Sequence, residues 1–336
     1  MMDYLSKKTY ITLLTIGMIC NMVIILLFYF QSIAVIDKTS HENLKSILKS
    51  NAMMIENNTK NTELLSHQLS NILTSTISLE DAKNNEDAMN IYENEITPLF
   101  LNTIKTFEAK SGWVIFDNDV VPSSKTISFI KNGSEYSRQP EYKIRETEFY
   151  KDTWWINAIE NGTAWSSPYY WELWDATIIS YSEQIKIDDI VIGVGGSDLF
   201  FEDISNKLKS VKIYDTGYVT LINAKFDIIF DHDFNNIGKN FKTYSNNDQY
   251  EKYATEIEAG NDFDILEFKD HQETTILGYQ KLSNGWTLLT IPKKHEMYDD
   301  LNKLNLILII VILIMIVLAQ VYYRILCKNY SKKEGI

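Results

Sequence analysis

Two stretches of the chain carry no charge: residues 10–30, YITLLTIGMICNMVIILLFYF, and residues 304–323, LNLILIIVILIMIVLAQVYY. Each has about the 20 residues a helix needs to cross a bilayer core. The first is longer than the apolar region of a signal peptide. The following QSIAVIDK offers a poor small-residue cleavage site, so the pattern predicts an uncleaved anchor. Beyond it, AVIDKTSHENLKSILKSNAMMIENNTKNTELLSHQLSNILTSTI contains neither Pro nor Gly. Leu44, Ile47, Leu48, Met54, Leu64, Leu65, Leu69, Ile72 and Leu73 recur in steps of three and four, the period of one helix face. This run is too long for an ordinary globular helix and predicts a stalk over about 31–75. A second helical pattern covers about 81–109, and Pro98 is expected to interrupt it.

From Trp113 the period changes. WVIFDND, TISFIKNG and IISYSEQIKIDDIVIGVGGSDL are short β-rich runs closed by turn residues, and Asp188-Asp189 reads as the turn of a hairpin. A helical FFEDISNKLKSV leads to GYVTLINAKFDIIFDHD. After a helical DQYEKYATEIEA come three more strands, FDILEFKD, TTILGYQKL and WTLLTIP. The expected fold is α/β (α+β): a long stalk helix carrying two antiparallel-sheet units in tandem.

Charge orients the chain. Lys7 and Lys8 precede the first span, and Arg324, Lys328, Lys332 and Lys333 follow the second. Basic flanks predict a cytoplasmic 1–9 and 324–336, spans at 10–30 and 304–323, and an extracytoplasmic 31–303. The two tails are net basic, so the central part is more acidic than the overall −13. That balance argues against nucleic acid and anionic lipid and mildly favours cations. Cys20 and Cys327 lie in or beside the spans. The central part has no cysteine, so a packed core must hold it together.

Five of the seven tryptophans fall between residues 154 and 174, with Asp152 and Asp175 among them. An Asp ahead of TWWINAIENG can cap that helix. Trp165 and Trp174 are read as packing residues, and Asp198 closes an apolar strand beside Gly195 and Gly196.

The order of stalk helix, WW…PYY, GVGGSDL, connecting helix, then a strand ending near His232 and Ile237-Gly-Lys resembles the double Cache sensor domains of bacterial receptors. The resemblance covers essentially residues 31–300. It implies two PAS-like units, a ligand-holding membrane-distal one (about 76–205) and a relaying membrane-proximal one (about 206–300), in a homodimer. In that family's amino-acid receptors an Arg before the aromatic pair holds the ligand carboxylate. A Tyr and an Asp of a Pro-Tyr-x-Asp motif, with a strand-end Asp, hold the ammonium. The matching positions are Trp154 and Trp155 for the pair, Tyr169 for the Tyr and Asp198 for the strand end. Asp152 stands where the Arg belongs, and Trp171 where the first Asp belongs.

An Arg fork matches a carboxylate, whereas an Asp repels one. A Trp face attracts cations by about 0.5–2 kcal/mol. The site expected from Asp152, Trp154, Trp155, Tyr169, Trp171 and Asp198 therefore takes an amine or quaternary amine. A one-residue shift would put Lys151 at the Arg position and leaves an amino acid as the alternative.

The five histidines show no metal-ligand spacing, and DHD at 231–233 is weak as a metal motif. There is no G-x-S-x-G, P-loop or H-E-x-x-H sequence, so neither enzymatic activity nor a cofactor is expected. Only 13 residues follow Tyr323. The expectation is an input module whose output (chemoreceptor, histidine kinase or diguanylate cyclase) is lost or comes from a separate membrane or cytoplasmic partner. A surface binding protein without signalling is the remaining reading.

Overall fold

The computed structural model describes residues 2–84, 86–123, 126–243, 248–269 and 274–333. Helix α1 (Met2–Thr74) runs unbroken for 73 residues, about 110 Å at 1.5 Å per residue. It is followed by α2 (Leu79–Asn84) and α3 (Glu86–Thr106). The distal unit then builds β1 (Ser111–Phe116), β2 (Ile127–Asn132), β3 (Glu135–Arg138), α4 (Thr153–Asn161), β4 (Thr163–Trp165), β5 (Tyr169–Trp171), β6 (Ala176–Ile187) and β7 (Ile190–Phe200). Helix α5 (Phe201–Lys209) leads to the proximal unit: β8 (Val219–Ile222), β9 (Ile228–Phe230), α6 (Gln249–Ala259), β10 (Phe263–Lys269), β11 (Thr274–Lys281) and β12 (Thr287–Thr290). Helices α7 (Lys294–Met297) and α8 (Asp299–Lys333) close the chain.

Both sheets are antiparallel. The distal order is β3-β2-β1-β7-β6-β4 with β5 also on β6, and the proximal order is β10-β11-β12-β8-β9. Hairpin β6–β7 turns through Asp188 and Asp189 alone, both with positive φ (48° and 62°), as a two-residue turn matched to strand twist requires. Strands β3, β4 and β5 are three or four residues long. Their composition does not separate them from loop.

Pro98 does not interrupt its helix: α3 passes through it. A proline there removes one bond, to the carbonyl of Asn94. Both residues lie on the exposed side, where water can take that carbonyl.

The stalk helix serves both units. Leu44, Leu48, Ala52 and Ile55 pack with Leu221, Ile276, Leu288 and Trp286 of the proximal sheet. Leu65, Leu69 and Leu73 pack with Ile96, Phe100 and Ile104 of α3 and with Val114, Phe116 and Ile192 of the distal sheet. Thr59 and Thr62, between these groups, and Ser66 and Ser70, within the second, are also buried. Thr59, Thr62 and Ser66 bond back to carbonyls of their own helix, which satisfies them while keeping the surface small. The sheet comes close there: a Cβ on Gly195 would lie 2.9 Å from Ser70 Oγ. Trp165 joins three parts. Its indole N–H donates to Glu63 of the stalk (2.8 Å), and its ring meets Tyr181 of the distal sheet and Trp286 of the proximal unit, each at 5.1 Å.

The segments Thr15–Thr74 and Asn302–Tyr322 contain windows long and apolar enough to cross a membrane, and none of either window is buried in the protein.

Candidate ligand site

The face of the distal sheet away from the stalk carries an aromatic cluster: Trp113, Trp154, Trp155 and Trp171 with Ile115, Ile144, Ile178 and Val194. Strand alternation explains it. On β1, Trp113 and Ile115 point into this cluster, while Val114 and Phe116 point to the helices.

Asp198 sits at the end of β7, 4% exposed, paired with Ser180 of β6. Its Oδ2 accepts from Ser111 Oγ (2.6 Å) and Trp113 Nε1 (2.9 Å), and its Oδ1 accepts from Ser180 Oγ (2.5 Å). Because Ser180 gives its proton to Asp198, the Tyr169 hydroxyl must donate to Ser180 Oγ, 2.7 Å away. Burial pushes the Asp198 carboxyl up to about 6, and the three donors only partly offset it. Among the described residues no basic side chain bonds to this carboxylate.

Gly196 makes the arrangement possible. A Cβ there would stand 2.3 Å from Trp113 Cζ2 and 2.5 Å from the Tyr181 carbonyl. Gly196→Ala is expected to cost about 1–3 kcal/mol by overpacking and to lift Trp113 off Asp198. Thermal unfolding and indole emission check this, since Trp113 would report a wetter environment.

Trp113, Trp154, Tyr169, Trp171, Trp174, Tyr142 and Asp198 surround a small cavity, with Leu173 at its rim. The cavity measures about 30 Å³, room for a water or two. The rings meet edge to face: Trp113 on Trp154 at 5.1 Å and Trp154 on Trp171 at 6.3 Å. Trp174 stacks on Phe200 (6.0 Å, 11°). Its buried indole N–H has no partner among the described residues. Desolvation first, then the charges of Asp198 and Asp152, raise the Tyr142 hydroxyl, and the same causes raise that of Tyr169. Both tyrosines therefore feel a negative field.

Of the six residues named from the sequence, Trp154, Tyr169, Trp171 and Asp198 share this wall, while Asp152 and Trp155 do not. Successive helix residues point about 100° apart, so Trp154 and Trp155 cannot face the same side. Trp155 is buried in the aromatic cluster behind the wall. Asp152 stands at the N-terminus of α4 without a side-chain capping bond, and its Oδ2 accepts from Trp154 Nε1 at 3.2 Å. Burial raises its pKa. Trp174 lines the cavity and is not simple packing. Sequence reasoning missed Trp113 and Tyr142, because Trp113 lies in a strand buried on both faces and Tyr142 in an irregular loop. Lys151 pairs with Glu148 at the surface and lies 5.4 Å over the Tyr150 ring, away from the cavity wall.

Residues 63–206 match the family model "Methyl-accepting chemotaxis protein-like, first PDC sensor domain". That stretch is similar to a PDC sensor domain. Over about four-fifths of its length the chain shares its α+β, two-sheet fold with extracellular domains of chemoreceptors and histidine kinases. The periplasmic sensory domain of the Campylobacter jejuni chemoreceptor Tlp1 superposes with a TM-score of 0.63 at 16% identity, over 78% of this chain and 98% of that one. The extracellular domain of soHK1S-Z6, a histidine kinase by its description, gives 0.59 at 17% identity, over 80% and 99%. The sensory domain of C. jejuni Tlp3 with isoleucine bound gives 0.51 at 14%, over 79% and 96%. No curated protein sequence matches the chain. The aromatic cavity lies within the matched stretch, on the sheet face opposite the stalk.

Proposed function

We propose that the protein is a membrane-anchored extracytoplasmic sensor whose distal cavity takes a small organic cation, an amine or quaternary amine. The observation that carries this reading is the composition of the wall: one carboxylate, six aromatic rings and, among the described residues, no lysine or arginine. A cation in such a box gains cation–π attraction from several faces and the field of Asp198. Asp152 acts from behind. By accepting the Trp154 indole proton it draws electron density into the ring and strengthens the face turned to the cavity. The unpartnered Trp174 N–H favours a cation that also carries an oxygen acceptor.

At about 30 Å³ the cavity is too small for such a cation, so admission requires the wall to part. The Glu172–Trp174 turn is the piece to move: Leu173 is 46% exposed and Asp175, at its end, holds φ +48°. Ligand that binds only the rearranged wall shifts the population toward it. The stalk, packed behind the same sheet, then carries the change toward the spans at 10–30 and 304–323, with both termini cytoplasmic. Met53, Leu64, Ile91 and Leu99 leave apolar surface on α1 and α3 that a second copy would cover. A separate signalling partner would read out the displacement.

The test uses the full chain in nanodiscs with choline, betaine, tetramethylammonium and putrescine, followed by thermal unfolding and tryptophan emission. Saturation at about 100 Kd should add about 2.7 kcal/mol of stability. The reading fails if none of these binds, or if only amino acids bind and Asp198→Asn removes that binding.

A further inference from the structure

We infer that the distal cavity selects an ammonium alcohol over an ammonium acid, with Ser128 and Gln139 as the residues that choose between them. This rests on the cation reading of the cavity and specifies the far end of the ligand. Asp198 is only one pole of the wall, and Ser128 of β2 and Gln139 line it too.

Strand register sets the two poles apart. Ser128 pairs with Trp113 of β1, and Trp113 pairs in turn with Gly196 of β7, the strand that carries Asp198. Directly opposite residues project to the same face, so Ser128 shares the Trp113 side of the sheet. Two strand spacings put Ser128 about 10 Å from β7, with Trp113 between. Ser128 is 8% exposed, and its hydroxyl has no partner among the described residues. Gln139 adjoins it: the Gln139 backbone N–H donates to the Ser128 carbonyl at 2.8 Å. Gln139 Nε2 reaches Ser137 only at 3.4 and 3.5 Å, too long to hold the amide firmly. A buried hydroxyl and a loosely held amide are open to a ligand oxygen.

The chemistry of these groups decides the kind of oxygen. A serine hydroxyl and a glutamine amide each donate and accept, so the pair matches a ligand hydroxyl, which does the same. A carboxylate only accepts. It would meet no lysine or arginine among the described residues of the wall and would face the field of Asp198. Its desolvation there has no compensating charge. A cation without oxygen leaves Ser128 and the Trp174 indole N–H unpaired. This side of the wall is also the fixed one. The Tyr142 N–H donates to Thr126 Oγ1 (2.8 Å), and Thr126 Oγ1 donates to the Tyr142 carbonyl (3.0 Å). Arg145 donates to both oxygens of Asp117, at 2.8 and 2.6 Å. The hydroxyl subsite therefore keeps its place while the Glu172–Trp174 turn moves.

The test is isothermal titration of the full chain in nanodiscs with choline, betaine and tetramethylammonium. Choline should bind tighter than either of the others by about tenfold or more, the effect of one hydrogen bond to a buried donor. In Ser128→Ala the preference for choline over tetramethylammonium should fall by about fivefold or more, and Gln139→Leu should lower it too. If Ser128→Ala does not fold, Gln139→Leu, a change in a half-buried loop residue, decides the matter. Betaine or tetramethylammonium binding as tightly as choline overturns the inference and leaves the cation reading standing. A preference that neither variant reduces also overturns it. Absence of binding by all three overturns the cation reading, and this inference with it.

Discussion

Asp198→Asn is expected to abolish binding of choline-type cations, by 100-fold or more, while leaving the ligand-free protein more stable at pH 7.5. The two effects have one cause. Asp198 is buried, and its carboxyl is pushed up to about 6, from 3.8 in an exposed setting. Between those two values the folded chain binds more protons than the unfolded one. Stability therefore falls as pH rises through that window, by about 3 kcal/mol in total.

An amide carries no such penalty. It can keep the network if its oxygen accepts from Ser111 and Trp113 and its nitrogen donates to Ser180, which then donates to Tyr169. What it loses is the charge that a cation would neutralise. The gain, less imperfect hydrogen bonding, should be about 1–3 kcal/mol by thermal or urea unfolding. The wild-type protein should show the complementary pH dependence. Below about pH 6 Asp198 is protonated in the free state, and cation affinity should fall by up to tenfold per pH unit. Flat affinity between pH 5 and 8 would remove Asp198 from the ligand contacts.

The second large effect is expected from Trp286→Ala. Trp286 is 2% exposed and packs in the core shared by the stalk and the proximal sheet, and its ring meets Trp165. Truncating a buried tryptophan costs about 3–5 kcal/mol. Trp165 would keep its bond to Glu63 and its contact with Tyr181 but lose the ring that links the distal unit to the proximal one. Hydrogen exchange should show lost protection in β8, β11 and β12 with β1, β6 and β7 unchanged. The distal cavity lies on the opposite face of its sheet, so cation affinity should hold within about threefold. Equal loss of protection in both units would mean they unfold as one body.

The distal cavity and a second one, of about 220 Å³ in the proximal unit, differ in their linings. The distal wall carries one sign and an unpaired donor, and the proximal wall carries both signs. Both units pack on the same helix, Leu44 and Leu48 backing the proximal sheet and Leu65 and Leu69 the distal one.

Much of this is legible in the chain itself. The uncharged runs, the three-and-four periodicity of the stalk, the Asp188-Asp189 turn and the tandem strand sets are local patterns. A local pattern is enough to specify a helix, a hairpin or an apolar face. Asp198 and Tyr169 are also readable, as a strand-end acid and a Pro-Tyr. Local rules misjudge Pro98, because whether a helix tolerates proline depends on whether the freed carbonyl faces water. They do not reveal that Asp152 and Trp155 stand off the cavity wall, since only packing decides which side of α4 faces the sheet. They give no sign of Trp113, whose place beside Asp198 depends on the β1–β7 register and on the missing Cβ of Gly196.

Residue type and spacing alone determined the membrane-length helices, the two-unit α+β plan and the presence of a carboxylate among aromatics. The tertiary structure alone decided that the described residues of the distal wall include no basic group, that Trp174 keeps an unpaired donor there, and that Asp231 and Lys293 share a second cavity. The reason is sequence separation. Those sites join side chains dozens of residues apart, and their meeting is set by strand register and core packing, which no local pattern encodes.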